Sequence, residues 1–189
     1  MFLTPGRLDE IVKKTNILIT GPPGIGKTTL IKRSMESLGP FPSDGFITEE
    51  IRDGGVRKGF ALVSRGGRRA ILSHVDIRSR FRVGKYSVDV AAFDLFLDAL
   101  DLAKPETRLV FIDEIGKMEG FSRKFDHLVR GLLDSSKVVL ATIALQGGGL
   151  IAEVKERPDV EIIELSAKNR EALAVEIPER LRAVLGDGV

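Results

Sequence analysis

The sequence contains no cysteine, only two histidines and a single tyrosine. Without cysteine, neither a disulfide framework nor a cysteine-based zinc site can form, and two histidines are too few for most metal clusters. An intracellular, cytoplasmic setting is the expectation that follows. No apolar run is long enough to span a bilayer. The opening stretch MFLTPGRLDEIVKKTN places Pro5, Gly6, Asp9, Glu10, Lys13 and Lys14 where a secretory leader needs an apolar centre, so no membrane association is expected. An excess of one charge is also missing. The 29 Lys and Arg residues face 27 Asp and Glu residues, and a net +2 lacks the basicity of a dedicated nucleic-acid binder. What is present is 189 residues, 43% of them hydrophobic, enough to bury one core, so a single domain over 1–189 is expected.

Asn16–Thr20 reads as a buried strand, and Lys27 to about Leu38 as a helix closed by Gly39-Pro40. From Asp44 the character changes. GFITEEIR, RKGFALVS and RRAILSHV are short strand-like runs separated by Gly54-Gly55 and Gly66-Gly67, the pattern of an antiparallel hairpin insertion over about 44–86. A strongly apolar helix is predicted from about Ser87 to Ala103, with Val90, Phe93, Leu97 and Leu100 on one face, ended by Lys104-Pro105. The remainder alternates. RLVFIDE is a strand, Ser122–Leu133 a helix, KVVLATI a strand, Leu150–Arg157 a short helix, VEIIEL a strand, and Asn169–Leu185 a helix that Pro178 should kink or divide. Apolar strands alternating with helices predict an α/β fold with a mostly parallel sheet, flanked by helices and joined by right-handed crossovers.

Between the first strand and helix lies GPPGIGKTT, made of Gly21, Pro22, Pro23, Gly24, Ile25, Gly26, Lys27, Thr28 and Thr29. It satisfies G-x-x-x-x-G-K-[ST] in the strand-to-helix context that a phosphate-binding loop requires. Glycines there let successive backbone N–H groups converge on phosphate oxygens, and the helix adds its positive end. Lys27 is placed for the β- and γ-phosphates, Thr28 for Mg²⁺, and Thr29 for the α-phosphate. A nucleoside triphosphate with Mg²⁺ is the ligand these residue types fit.

A second magnesium anchor is offered by Leu109, Val110, Phe111 and Ile112 followed by Asp113 and Glu114, with Ile115 and Gly116 beyond. The carboxyl end of a parallel strand is where ligands bind in open α/β sheets. Asp113 would hold Mg²⁺, directly or through water, and Glu114 is placed to take a proton from an attacking water.

GPPGIGKTTL, GFITEEIR, RVGKYSVDV, FIDEIGKME and SAKNREAL resemble, in order, the matching blocks of the small P-loop nucleoside-triphosphatase family described from thermophiles and found also in animals. The resemblance covers about Asn16 to Leu185. It implies a P-loop NTPase core and a monomeric, Mg²⁺-dependent hydrolase of ATP, GTP, CTP, UTP and TTP, with a glutamate following the magnesium-site aspartate. One departure is Gln146-Gly147-Gly148-Gly149, where many members carry lysines.

Other signals are less specific. Between Arg52 and Lys85 stand ten Lys or Arg against Asp53 and Asp76. Such a block can reach a transferring phosphate, with Arg80, Arg82 and Lys85 as candidates, bind nucleic acid or an acidic partner, or simply be a solvated face. Phe60, Phe81 and Tyr86 are too sparse for a single-strand stacking platform, so nucleic acid is not favoured. Asn169 reads as a helix cap or a base contact, Arg170 as open, and Thr142 as a contact to the attacking water or a buried strand threonine. Glu49 and Glu50 either lean into the cleft or offset basic charge. His74 and His127 read as ordinary histidines. Three functions stay open: triphosphate hydrolysis with Glu114 as base; a P-loop kinase whose acceptor sits on the insertion and the RVGKY segment; and a nucleotide-controlled switch that grips nucleic acid or a protein.

Overall fold

The computed structural model describes residues 15–186, so the leader reading at the amino terminus lies outside the described residues. A nine-stranded sheet runs in the order β5-β6-β4-β3-β2-β7-β8-β1-β9. The strands are β1 (Asn16–Thr20), β2 (Ser43–Asp53), β3 (Val56–Ser64), β4 (Arg69–His74), β5 (Arg82–Val83), β6 (Tyr86–Val88), β7 (Leu109–Ile115), β8 (Val138–Ile143) and β9 (Val160–Glu164). The helices are α1 (Lys27–Leu38), α2 (Val90–Asp98), α3 (Arg123–Leu133), α4 (Leu150–Glu156) and α5 (Arg170–Leu185). β2, β7, β8, β1 and β9 pair in parallel, while β3, β4, β6 and β5 continue from β2 in antiparallel. The expected α/β architecture is therefore present.

The period of two along the parallel strands decides which residue faces which helix layer. Leu18, Val110, Ile112, Val139 and Ala141 point to the face covered by α2, α3 and α4, where Phe46 meets Phe93, Phe96 and Phe125 edge-on. Ile17, Ile19, Leu109, Phe111 and Leu140 point to the other face, against Leu30 and Ile31 of α1 and Leu173, Ile177 and Leu181 of α5. Both faces of the parallel half are buried, which is why its strands read as unbroken apolar runs.

The antiparallel hairpin region expected over about 44–86 is present as β2 to β6 and is continuous with the parallel half, while two other expectations are corrected. β2 pairs through Ser43–Phe46 with β7 in parallel and through Phe46–Asp53 with β3 in antiparallel, so one long strand belongs to both halves of the sheet. The helix expected from Ser87 begins later, because Ser87 and Val88 pair with His74 and Ser73 in β4, and the Asp89 carboxylate caps α2 by accepting the Ala92 N–H. It also ends early, at Asp98; Asp101 takes a left-handed conformation (φ 47°), yet Leu100 and Leu102 remain in the core. Pro178 does not divide α5, which runs continuously over 16 residues. Ile177 and Leu181, on either side of it, are fully buried, and that packing outweighs a lost helix hydrogen bond.

Candidate active site

The loop after β1 turns back on itself by an Ile25 N–H to Pro22 carbonyl hydrogen bond before α1 begins. Gly26 takes a left-handed φ of 107° at the helix start, and Gly21 lies so close to the segment after β9 that a β-carbon would sit 2.7 Å from the Leu165 carbonyl oxygen. The Lys27 ammonium folds over the loop and donates to the carbonyls of Gly21 (2.9 Å) and Pro22 (3.3 Å). It is thus held across the loop that the sequence assigned to phosphate.

Asp113 is the hub. Only 3% exposed, its carboxylate accepts from the Thr28 hydroxyl at Oδ2 (2.6 Å) and from the Thr142 hydroxyl at Oδ1 (2.7 Å), while the Thr48 hydroxyl bonds its backbone carbonyl. Thr142 therefore holds Asp113 from the neighbouring strand β8. A register slip between Ile112 and Ile115 takes Asp113 and Glu114 off the β7–β8 ladder, and the peptide between the two acids is cis. Thr28 Oγ1 and the Asp113 carboxylate present hard oxygen donors side by side, a set suited to Mg²⁺.

Glu114 is half-buried and lines the same cleft. Burial pushes its pKa up, the Lys27 ammonium works against this, and the Asp113 charge adds to it. Glu119, on a single 3₁₀ turn (Glu119–Phe121), is the second carboxyl at this end. The two crowd one point: a β-carbon at Gly116 would lie 2.8 Å from Glu119 Oε2 and 3.4 Å from Glu114 Cδ. Burial raises the Glu119 pKa to about 8, backbone N–H groups at Glu119 and Gly116 oppose the shift, and Glu114 and Asp113 reinforce it. Below pH 4.5 this carboxyl is protonated folded or unfolded; between 4.5 and 8 the unfolded chain ionises it and the fold does not, so the fold loses stability as pH rises through that window. Glu119→Gln is expected to stabilise the fold by an amount near zero at pH 4.5 that grows to a few kcal/mol by pH 8, read as a melting temperature that rises above the parent's across that window. Parallel pH-dependent melting curves would refute the neutral carboxyl.

The cleft measures about 850 Å³. Of the residues expected to bind nucleotide, Pro23, Gly24, Gly26, Lys27, Thr28, Thr29, Asp113, Glu114 and Gly116 line it. Gly21, Pro22 and Ile25 shape the loop behind it. Leu109, Val110, Phe111, Ile112 and Ile115 do not reach it: strand alternation buries their side chains in the two helix-facing layers, so they support Asp113 from below. Arg80, Arg82 and Lys85 do not line it either, whereas Arg57, Phe60 and Tyr86 do. Sequence reasoning missed Arg57 and Thr48, and read Phe60 and Tyr86 only as sparse aromatics. Glu49 and Glu50 both line the cleft and offset charge, Glu49 pairing with Lys32 and Arg69, and Glu50 with Arg52 and Arg57.

Asn169 stands at the α5 N-cap position but does not cap it. Its side chain accepts from the Ser166 N–H (2.8 Å) and hydroxyl (3.0 Å) and donates to the Glu164 carbonyl (2.9 Å), closing the loop after β9. Gln146, Gly147, Gly148 and Gly149 are exposed outside the cleft. His127 bonds the Arg123 carbonyl one turn back, and His74 accepts the Asp76 N–H.

The family model described as NTPase matches residues 16–178. The nucleoside-triphosphatase THEP1 of Thermotoga maritima is 43% identical over 172 residues, 90% of this chain and 98% of that protein. The human cancer-related nucleoside-triphosphatase is 40% identical over 178 residues, 86% and 94% of the two chains. The crystal structure of THEP1 from the hyperthermophile Aquifex aeolicus superposes with a TM-score of 0.77 at 38% identity, covering 86% of this chain and 96% of that one. On a family model over most of its length and relatives at 40% identity or more, the chain belongs to the NTPase family and is a nucleoside-triphosphatase.

Proposed function

We propose that the enzyme hydrolyses ATP, GTP, CTP, UTP and TTP to the diphosphate and phosphate, using Mg²⁺ and discriminating little between bases. The observation that carries this reading is that Lys27, Thr28, Asp113 and Glu114 line one cleft, with Asp113 held by the Thr28 hydroxyl and, from the buried side, by that of Thr142. Thr28 and Asp113 would hold the metal, which neutralises charge on the β- and γ-phosphates when bound. Lys27 exchanges its two loop carbonyls for phosphate oxygens. Glu114, whose carboxylate is made more basic by burial, takes the proton as water oxygen bonds to the γ-phosphorus and the bond to the β-phosphate oxygen breaks.

Broad base use is supported by where the polar groups point: the threonines, the aspartate and the lysine address phosphate and metal, and none offers a base-edge pattern. The test is phosphate release from each of the five triphosphates, with and without a chelator. Rates within about tenfold of one another, falling to background on chelation, are expected. A preference for one base above about 1,000-fold, roughly 4 kcal/mol, would require a dedicated polar pocket and overturn the broad reading.

A further inference from the structure

Beyond Glu114 the cleft continues along the antiparallel half of the sheet, and its lining there has nothing to do with phosphate. Phe60 on β3 and Tyr86 on β6 meet edge-to-face at 5.3 Å, with Leu72 of β4 and the half-buried Met118 completing an apolar wall. Arg57 is laid over both rings, 5.1 Å from the Phe60 centroid and 5.7 Å from that of Tyr86. It is fixed there by donating to the Tyr86 hydroxyl (2.9 Å) and to Glu50 (2.7 Å). The rings and the guanidinium are thus preorganised without a ligand, which lowers the ordering cost of binding one.

The position and chemistry of this wall argue against the triphosphate's own base, against water and against an acceptor that carries phosphate. No residue of β9 or of the segment after it lines the cleft, so the wall lies on the β2 side of Asp113 and Glu114, away from the loop that Asn169 closes. A water nucleophile needs no aromatic compartment, and the cleft of about 850 Å³ takes in both the phosphate loop and this wall. Both carboxylates on this wall are paired, Glu50 with Arg52 and Arg57 and Glu49 with Lys32 and Arg69, whereas the exposed Lys117 beside Met118 lines the cleft outside these ion pairs. An acceptor phosphate drawn to Arg57 would compete with Glu50, whereas a neutral planar ring stacks without disturbing that pair.

We infer that this compartment seats a neutral, hydroxyl-bearing heterocycle, of the class to which nucleosides belong, as a phosphoryl acceptor, so that the enzyme is also a phosphotransferase. The inference rests on Glu114 and the phosphate loop acting as described above. The acceptor oxygen bonds to the γ-phosphorus, the bond from that phosphorus to the β-phosphate oxygen breaks with its electron pair leaving on the diphosphate, and the acceptor proton passes to the Glu114 carboxylate. Hydrolysis is the same displacement with water in the acceptor's place.

The experiment incubates the enzyme and Mg²⁺ with ATP labelled in the γ-phosphate, and with adenosine, guanosine, cytidine, uridine, thymidine or pyridoxine at millimolar concentration, separating labelled phosphate from labelled phosphomonoester. The expected result is a labelled monoester from at least one probe, with free phosphate falling in proportion, and a monoester-to-phosphate ratio at least tenfold lower in Phe60→Ala. The nucleoside and pyridoxine arms separate the two sources of such a ring. Continued phosphate release with no monoester from any of the six probes overturns the acceptor and leaves the hydrolase standing. A nucleoside that only competes with ATP makes the wall the triphosphate's own base site and likewise overturns the inference. Loss of phosphate release in every arm instead defeats the proposed hydrolysis itself.

Discussion

Glu114→Gln is expected to lower turnover by about 10²- to 10⁴-fold, the usual worth of a positioned general base, while leaving the affinity for Mg²⁺-nucleotide close to that of the parent. Glutamine keeps the shape and the half-buried position, and it leaves the Thr28–Asp113–Thr142 hydrogen bonds untouched. What it removes is the acceptor for the water proton. Single-turnover hydrolysis with nucleotide binding measured in parallel separates the two effects. Parent-like turnover would transfer the role to another carboxyl of the cleft, and Glu49→Gln, Glu50→Gln and Glu119→Gln would then locate it. A matching loss of affinity would instead show that Glu114 serves the metal.

Lys27→Ala is expected to reduce kcat/KM by about 10²- to 10³-fold, the loss typical of one charged or oriented donor at a developing anion. Before nucleotide binds, the ammonium already spans the loop through the Gly21 and Pro22 carbonyls, so it is presented to the phosphates by the same short segment that surrounds them. Those two contacts are partly exposed, and their loss should cost about 1 kcal/mol of stability, a shift of a few degrees in melting temperature. A folded Lys27→Ala protein that hydrolyses ATP at the parent rate would defeat the phosphate assignment of the loop.

The parts of the site legible in the sequence are those whose chemistry is contiguous. Gly21 to Thr29 announces itself because strand, glycines, lysine, threonine and helix follow one another in nine residues, and local geometry alone determines what they can bind. Asp113 and Glu114 were legible for a second reason: an apolar strand ending in two acids needs no partner to be recognised. The partners themselves were harder. Thr28 and Asp113 are 85 positions apart and Thr142 is 29 beyond, and only the strand order sets β8 between them. The aromatic wall was illegible because Arg57 and Tyr86 meet across an antiparallel register with an irregularity at Phe60/Ala61. Gly59 belongs to the same place, where a β-carbon would sit 2.1 Å from the Ser73 carbonyl oxygen, so β3 and β4 press together there in a way no periodicity encodes. Ser87 and Val88 were misread for a related reason: their apolar neighbours fit a helix, and only pairing with β4 made them a strand.

A sheet nine strands wide still has two rims, and each is a place where a stray strand from another molecule can add. On one rim β5 is only two residues long, Arg82 and Val83, between the exposed cations Arg80 and Lys85, so an incoming strand finds few free backbone groups and a like-charged neighbour when a second copy approaches. On the other, β9 carries Glu161 and Glu164, and Arg180 of α5 reaches across to Glu161. Part of the basic block between Arg52 and Lys85 thus lies along a sheet rim, where a short strand and like charges disfavour pairing with a second copy.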